Sequence, residues 1–217
     1  YPFSLYDVLP SWAERTVVLG LRDGLEACVL PPIMAYLMVT APGIELQSLQ
    51  VSRRDMVREL AAGRLDLAMD VQLPVPEEVQ QRQVLTVPLV VLARRGHPLS
   101  DQKMTLERYL AANHVLVSSR RSGPGLEDFG LAQAGHQRSI TLRCQHYQAA
   151  MEVVAGTDLL LTAPEMLARQ LAPSSRFVTL PLPVALPPMT LYFYWHRDQD
   201  QDPGHRWLRD WLLSHAV

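Results

Sequence analysis

The chain of 217 residues is 48% hydrophobic and sets 20 Lys and Arg against 22 Asp and Glu, a net charge of -2. That length supports one large domain or two small ones with a real core. The charge balance excludes holding DNA by bulk electrostatics, which needs a basic face.

Residues 1–14 carry Pro2, Pro10 and aromatics without periodicity and read as the end of a connecting segment. Residues 15–22, rich in Val and Leu, read as a strand. Asp23-Gly24 makes a tight turn, after which Leu25, Cys28, Val29, Ile33, Tyr36 and Leu37 recur at helical spacing. Pro31-Pro32 predicts a kink or a restarted first turn in that helix. Residues 44–51 read as a second strand. Ser52 caps the next helix, with Asp55 in its first turn, Met56, Val57, Leu60 and Ala61 on its buried face and Gly63 at its end. Residues 65–69 follow as a third strand, and the order βαβαβ predicts a parallel sheet with right-handed crossovers.

Pro88 interrupts the apolar stretch 84–94 and, because proline cannot donate to a central ladder, marks where one sheet is left for another. The pattern then restarts. Thr105 caps a helix containing Leu106, Tyr109 and Leu110, residues 114–117 form a strand, and a polar loop over 118–125 precedes a further helix. Residues 139–144 read as a strand and 147–155 as a helix ended by Gly156. A buried strand over 158–161 runs into Thr162-Ala163-Pro164-Glu165, whose Thr and Glu stand at capping-box spacing with proline in the first turn. Residues 177–180 and 189–196 are strands flanking a proline-rich link, the second returning to the first domain. Trp207, Leu208, Trp211 and Leu212 form one stripe of a closing helix. The fold class is α/β, with a linker remnant at 1–14, a first subdomain over 15–87 and 189–217, and a second over 88–188.

Motifs for chemistry are mostly absent. Asp198-x-Asp200-x-Asp202 imitates a calcium loop, but its glycine falls one place late and Arg209 stands where a bidentate Glu is needed. Gly123-Pro124-Gly125 is a turn and no dinucleotide loop. No Walker lysine, G-x-S-x-G elbow or H-E-x-x-H occurs, and no pair among the seven histidines has metal spacing. Cys28 and Cys144 have no second cysteine at redox or zinc spacing and read as small packing residues. No run approaches the ~20 apolar residues of a membrane span. The expected protein is cytoplasmic, non-enzymatic and free of metal and cofactor; its opening on Tyr1 marks a fragment or processed product.

Four segments carry a family resemblance: residues 60–69 (LAAGRLDLAM), 94–99 (RRGHPL), 155–164 (AGTDLLLTAP) and 207–212 (WLRDWL). Together, and in this order, they resemble the effector-binding domain of LysR-type transcriptional regulators, closest to the branch that includes regulators of nodulation and aromatic degradation. Thr157 departs from the pattern, which usually has a second glycine there. The resemblance implies a type-2 periplasmic-binding-protein fold of two Rossmann-like α/β subdomains joined by two crossover strands, with a small-molecule effector in the cleft between them. It also implies a homodimer or tetramer, and DNA contact only through an N-terminal winged helix-turn-helix that this chain lacks. The alternative is a free-standing solute-binding protein of the same fold serving transport.

The residues locate a site by themselves, because ligands of open α/β sheets gather beyond the carboxyl ends of strands, at helix N-termini. The candidate effector contacts are Asp23, Gly24 and Leu25 after the first strand, Ser52 and Arg53 after the second, and Asp70 and Val71 after the third. In the second subdomain they are Ser118, Ser119, His146, Thr162 and Ala163. Arg53 and Arg120 favour an anion, whereas Asp23 and Asp70 favour hydroxyl or amine groups, which leaves ligand charge open; Ser52 and Thr162 also serve equally well as helix caps.

Overall fold

The computed structural model describes residues 14–215, so the connecting segment expected over 1–14 lies outside the described residues except for Glu14. In chain order the elements begin β1 (Thr16–Leu21), α1 (Leu25–Thr40), β2 (Glu45–Leu49), α2 (Arg53–Ala61), β3 (Leu67–Val71), β4 (Val79–Val87) and β5 (Leu89–Arg94). They continue with α3 (Leu106–Ala111), β6 (Asn113–Val117), α4 (Leu126–Gln133), β7 (Ser139–Cys144), α5 (Tyr147–Gly156) and β8 (Leu160–Pro164). α6 (Glu165–Leu171), β9 (Phe177–Pro181), β10 (Met189–His196) and α7 (Pro203–His215) complete them. One unit holds the chain up to Thr86 and from Thr190 onward; the other is Val87–Met189.

The first unit is a sheet in the order β2-β1-β3-β10-β4. β1 runs parallel to β2 and β3, but β10 pairs antiparallel with β3. The expected parallel sheet is therefore a mixed one: β10 arrives from the other unit without a crossover helix, and nothing obliges it to run parallel. Val17, Leu19 and Leu21 alternate into the core of β1, and a Cβ on Gly20 would stand 3.2 Å from the Cβ of Ala68. Gly24, at φ 84°, makes the left-handed turn into α1.

α1 runs unbroken through Pro31 and Pro32, correcting the expected restart. Each proline removes one donor, from the carbonyls of Ala27 and Cys28. The fully buried stripe Val29, Ile33 and Leu37 holds the helix against that loss. β3 begins at Leu67, two residues later than expected, because Asp66 is used sideways: its N–H bonds the Val18 carbonyl at 2.9 Å and its carboxylate accepts the Val18 N–H at 2.8 Å. On α7 the buried stripe includes His205, Leu208, Arg209 and Leu212. The leucines fall as expected, but Trp207 and Trp211 rotate to the flank and stack on Tyr36 of α1, with ring centroids 5.4 and 4.3 Å away.

The second unit is a sheet in the order β7-β6-β8-β5-β9, again mixed: β6 is parallel to β7 and β8, while β5 is antiparallel to β8 and β9. Period-two alternation along β5 feeds two cores. Val91 and Ala93 join Met104, Tyr109, Leu131 and Leu160, whereas Leu92 joins Val115, Ala150, Val154, Leu161 and Phe177. Pro88 stands between β4 and β5, which belong to different sheets, and its carbonyl accepts the Glu165 N–H at 2.9 Å. β8 extends through Pro164, so Thr162 lies within a strand and Pro164 precedes α6, overturning the capping box expected of Thr162 and Glu165. At Thr157 the backbone is extended (φ -141°), with no need of glycine, and the hydroxyl bonds the Val153 carbonyl at 2.8 Å and the Leu159 N–H at 3.2 Å.

Candidate functional site

In the first unit the predicted residues gather at the carboxyl ends of β1 and β3, beside the start of α2. A cavity there is lined by Gly20, Leu21, Val51, Arg53, Met56 and Asp70, among others. Asp70 lies inside β3, opposite Tyr192 of β10, instead of following the strand as expected; the antiparallel pairing with β10 extends the ladder over Asp70 and Val71. Its carboxylate is gripped by Arg53, Nε to Oδ2 at 2.9 Å and Nη2 to Oδ1 at 2.7 Å. Arg22, which the sequence reading passed over, brings Nη1 to 3.8 Å from Oδ2. The Asp70 side chain is 7% exposed and that of Arg53 is 37% exposed. The hydrogen bonds it donates to Asp70 hold the Arg53 guanidinium above its ordinary pKa against the opposing pull of burial.

Val71 is bonded to this pair, whereas Ser52 and Leu25 have local partners of their own. Val71 donates its N–H to Asp70 Oδ1 at 2.8 Å and accepts the Tyr194 hydroxyl on its carbonyl at 2.6 Å. Burial, with the Asp70 charge nearby, pushes the Tyr194 phenol up to about 12. Ser52 is a helix cap: its hydroxyl accepts the Asp55 N–H at 3.2 Å and donates to the Asp55 carboxylate at 2.7 Å. Asp23 is half-buried in the β1–α1 turn. Leu25 turns its side chain into the core and its N–H bonds the Arg22 carbonyl at 3.1 Å, so the free amide expected there is already engaged.

In the second unit Ser118 begins the loop after β6, donating its N–H to the Cys144 carbonyl at 2.8 Å and accepting the Arg120 N–H on its hydroxyl at 3.1 Å. Ser119 and His146 are exposed, His146 just before α5. Arg120, expected as an anion partner, donates to the Pro124 carbonyl of its own loop. Ala163 is buried in the core. Thr162 is buried too, its Oγ1 2.7 Å from the Tyr109 hydroxyl and 3.3 Å from Arg138 Nη1.

That last contact belongs to a network sequence reasoning missed. Arg138 reaches Asp128 and Glu127, both at 2.6 Å, with none of its side chain exposed. The acidic first turn of α4, Glu127 and Asp128, is a helix-start signal that sequence reasoning left unused; its cationic partner ten residues on, just before β7, has no spacing rule. The aspartates of the calcium-like segment have other tasks. Asp200 accepts the Trp195 indole N–H at 2.7 Å, and Asp202 accepts the N–H groups of Gly204 and His205 at the start of α7. Among the described residues no group of three or more His, Cys, Asp or Glu could hold a metal ion, and no helix is long and apolar enough to cross a membrane.

Two mixed α/β units of five strands each match the periplasmic-binding-protein-like fold of regulator effector-binding domains. Residues 13–217 match the family described as the LysR substrate binding domain, and the chain belongs to that family of transcriptional regulators. It is 31% identical over 205 residues to the HTH-type transcriptional activator NahR of Pseudomonas putida, covering 94% of this chain and 68% of that one. Among solved structures it is similar to the probable transcriptional regulator PA0477 from Pseudomonas aeruginosa, with TM-score 0.84, 32% identity, and 98% of this chain and 73% of that one covered. It is also similar to the regulatory domain of MexT, a transcriptional activator in the same organism, with TM-score 0.83, 27% identity, and 93% and 98% covered.

Proposed function

We propose that this chain is the sensing domain of a LysR-type regulator whose signal is a small organic acid, aromatic or aliphatic, bound at the carboxyl edge of the first sheet. The observation that carries this reading is the Arg53 guanidinium: it is more than a third exposed, already in the fork geometry that recognises carboxylates, and beside a cavity with apolar walls. Val71 backs the pair through its N–H bond to Asp70, Ser52 caps the helix that begins at Arg53, and Asp23 and Gly24 lie in the turn after β1. Ser118, Ser119 and His146, on the loops after β6 and before α5, are the second unit's own candidate contacts, and Thr162 and Ala163 lie in its β8.

The chain acts in the cytoplasm as part of a homodimer or tetramer, for which Met38 and Val39 of α1, 62% and 81% exposed, supply apolar surface. DNA is met through a helix-turn-helix domain, as in the HTH-type activators NahR and NagR. Effector binding changes regulation only through its different affinity for two states of the assembly. A transport receptor is the weaker reading, since the relatives are regulators.

The test is a thermal-shift screen of aromatic and aliphatic acids, amino acids and amines against the wild type and Arg53→Gln. A ligand at 100 times its Kd stabilises by about 2.7 kcal/mol. Acids are expected to shift the wild type and to lose that shift in Arg53→Gln. Shifts by amines alone, or acid shifts that persist without Arg53, would overturn the proposal.

A further inference from the structure

The charges at the first-unit edge are arranged as more than a receptor for an acid. Arg53 holds both oxygens of Asp70, so the place where it would grip a ligand's carboxylate is filled by a carboxylate of the protein itself. The two partners differ in freedom. Asp70 is 7% exposed and fixed by the Val71 N–H, whereas Arg53 is 37% exposed and has a long, flexible stem that can swing away. A buried carboxylate cannot be left without a cation at acceptable cost. Arg22 answers that need: its Nη1 stands 3.8 Å from Asp70 Oδ2, within ion-pair range but beyond hydrogen-bonding distance, on a side chain 28% exposed.

We propose that Asp70 is an internal competitor for the effector's carboxylate, and that binding is a partner exchange in which Arg53 passes Asp70 to Arg22 and takes the ligand instead. This rests on the effector-binding reading above and deepens it. The exchange keeps every carboxylate paired: Arg53 with Asp70 before, Arg53 with the ligand and Arg22 with Asp70 after. It also defines the ligand. The lining sets the apolar Leu21, Val51, Met56 and Met69 beside the charged Arg22, Arg53 and Asp70, so the acid's carboxylate meets the cations and the rest of it meets apolar side chains. A charged competitor raises the threshold for response, since a neutral molecule of the same shape cannot displace it.

The experiment is calorimetric titration of benzoate and of benzamide, its neutral counterpart, into the wild-type chain, Arg22→Met, Asp70→Asn and the double variant, each first checked for cooperative thermal unfolding. Benzoate is expected to bind and benzamide not. Asp70→Asn, which removes the competitor's charge but keeps its shape, raises benzoate affinity about tenfold. Arg22→Met lowers it about tenfold in the wild-type background and leaves it unchanged in the Asp70→Asn background, because no charge then needs a new host. Arg22→Lys, which keeps the cation, serves if Arg22→Met does not fold, and is expected to bind benzoate as the wild type does. Equal effects of Arg22→Met in both backgrounds, or weaker binding in Asp70→Asn, overturn the exchange while leaving the site in place. Equal binding of benzamide, or none of benzoate, overturns the carboxylate class and the exchange with it. Benzoate binding that survives Arg53→Gln overturns the site reading itself.

Discussion

Arg138 places its Nε 2.6 Å from Asp128 Oδ1, and the other oxygen of that carboxylate accepts the Gly125 N–H at 2.6 Å, so one acid joins a buried cation to the first turn of α4. Burial works against the charge of Arg138, but Glu127 and Asp128 outweigh it and hold the guanidinium above its ordinary pKa. Removing the cation leaves two mostly buried carboxylates facing each other. Arg138→Met is therefore expected to cost about 3–5 kcal/mol in urea unfolding. Adding Glu127→Gln and Asp128→Asn to it removes the stranded charges and is expected to recover part of the loss; a triple variant as unstable as the single one would assign the cost to packing.

His114 links this region to pH. It is fully buried in β6, with Nε2 2.7 Å from the Tyr109 carbonyl and no hydrogen-bond partner at Nδ1. Burial, reinforced by the Arg138 charge, lowers its pKa to about 4. The unfolded chain, with an ordinary histidine near 6.5, binds the proton first as pH falls. The stability from keeping this ring neutral is thus complete above pH ~6.5 and is lost progressively as pH falls towards ~4, a total of about 3 kcal/mol. His205, buried at 2.8 Å from the Asp66 carbonyl and lowered by the same cause, adds to the slope. Urea midpoints of the wild type and His114→Gln between pH 4 and 7 check this: the two curves are expected to converge at the acid end, and parallel curves would exclude the histidine as the cause.

The α/β order and most element positions were legible because they rest on local patterns: the apolar stretch 84–94 broken by the Pro88 crossover, the stripe Met56 and Leu60 of α2, and the Ser52 and Thr105 caps. What escaped depends on partners distant in sequence. The pairing of β10 with β3 drew Asp70 into a strand, and a sideways use of Asp66 delayed where that strand starts. Thr162 reads as a cap until Tyr109 and Arg138 claim its hydroxyl. Arg53 and Asp70 were both visible as candidates, yet they argued for opposite ligand charges, because no spacing rule shows that two side chains 17 residues apart satisfy each other.

Asp202 closes the first turn of α7, its Oδ1 accepting the N–H groups of Gly204 at 2.9 Å and His205 at 3.0 Å while Oδ2 stands 3.4 Å from Arg15. Those amides have no partner within the helix. Asp202→Ala is expected to cost about 1–2 kcal/mol in chemical denaturation, and Asp202→Asn, which keeps the accepting oxygen, less than half of that. Equal losses in the two variants would mean that the ion pair with Arg15 outweighs the cap.

Thr162 distinguishes a supporting residue from a contact. Its side chain shares a buried network with Tyr109 and Arg138, and replacement by valine keeps the shape while removing the only oxygen. The Tyr109 hydroxyl and one Arg138 N–H then lose a partner in a site without access to water, so Thr162→Val is expected to cost about 1–3 kcal/mol in urea unfolding. Tyr109→Phe removes the other half of the shortest bond. The double variant is expected to cost less than the two single losses added together, because the second change no longer breaks a bond that the first has removed. Strict additivity of the two would show that the 2.7 Å pair contributes nothing to stability.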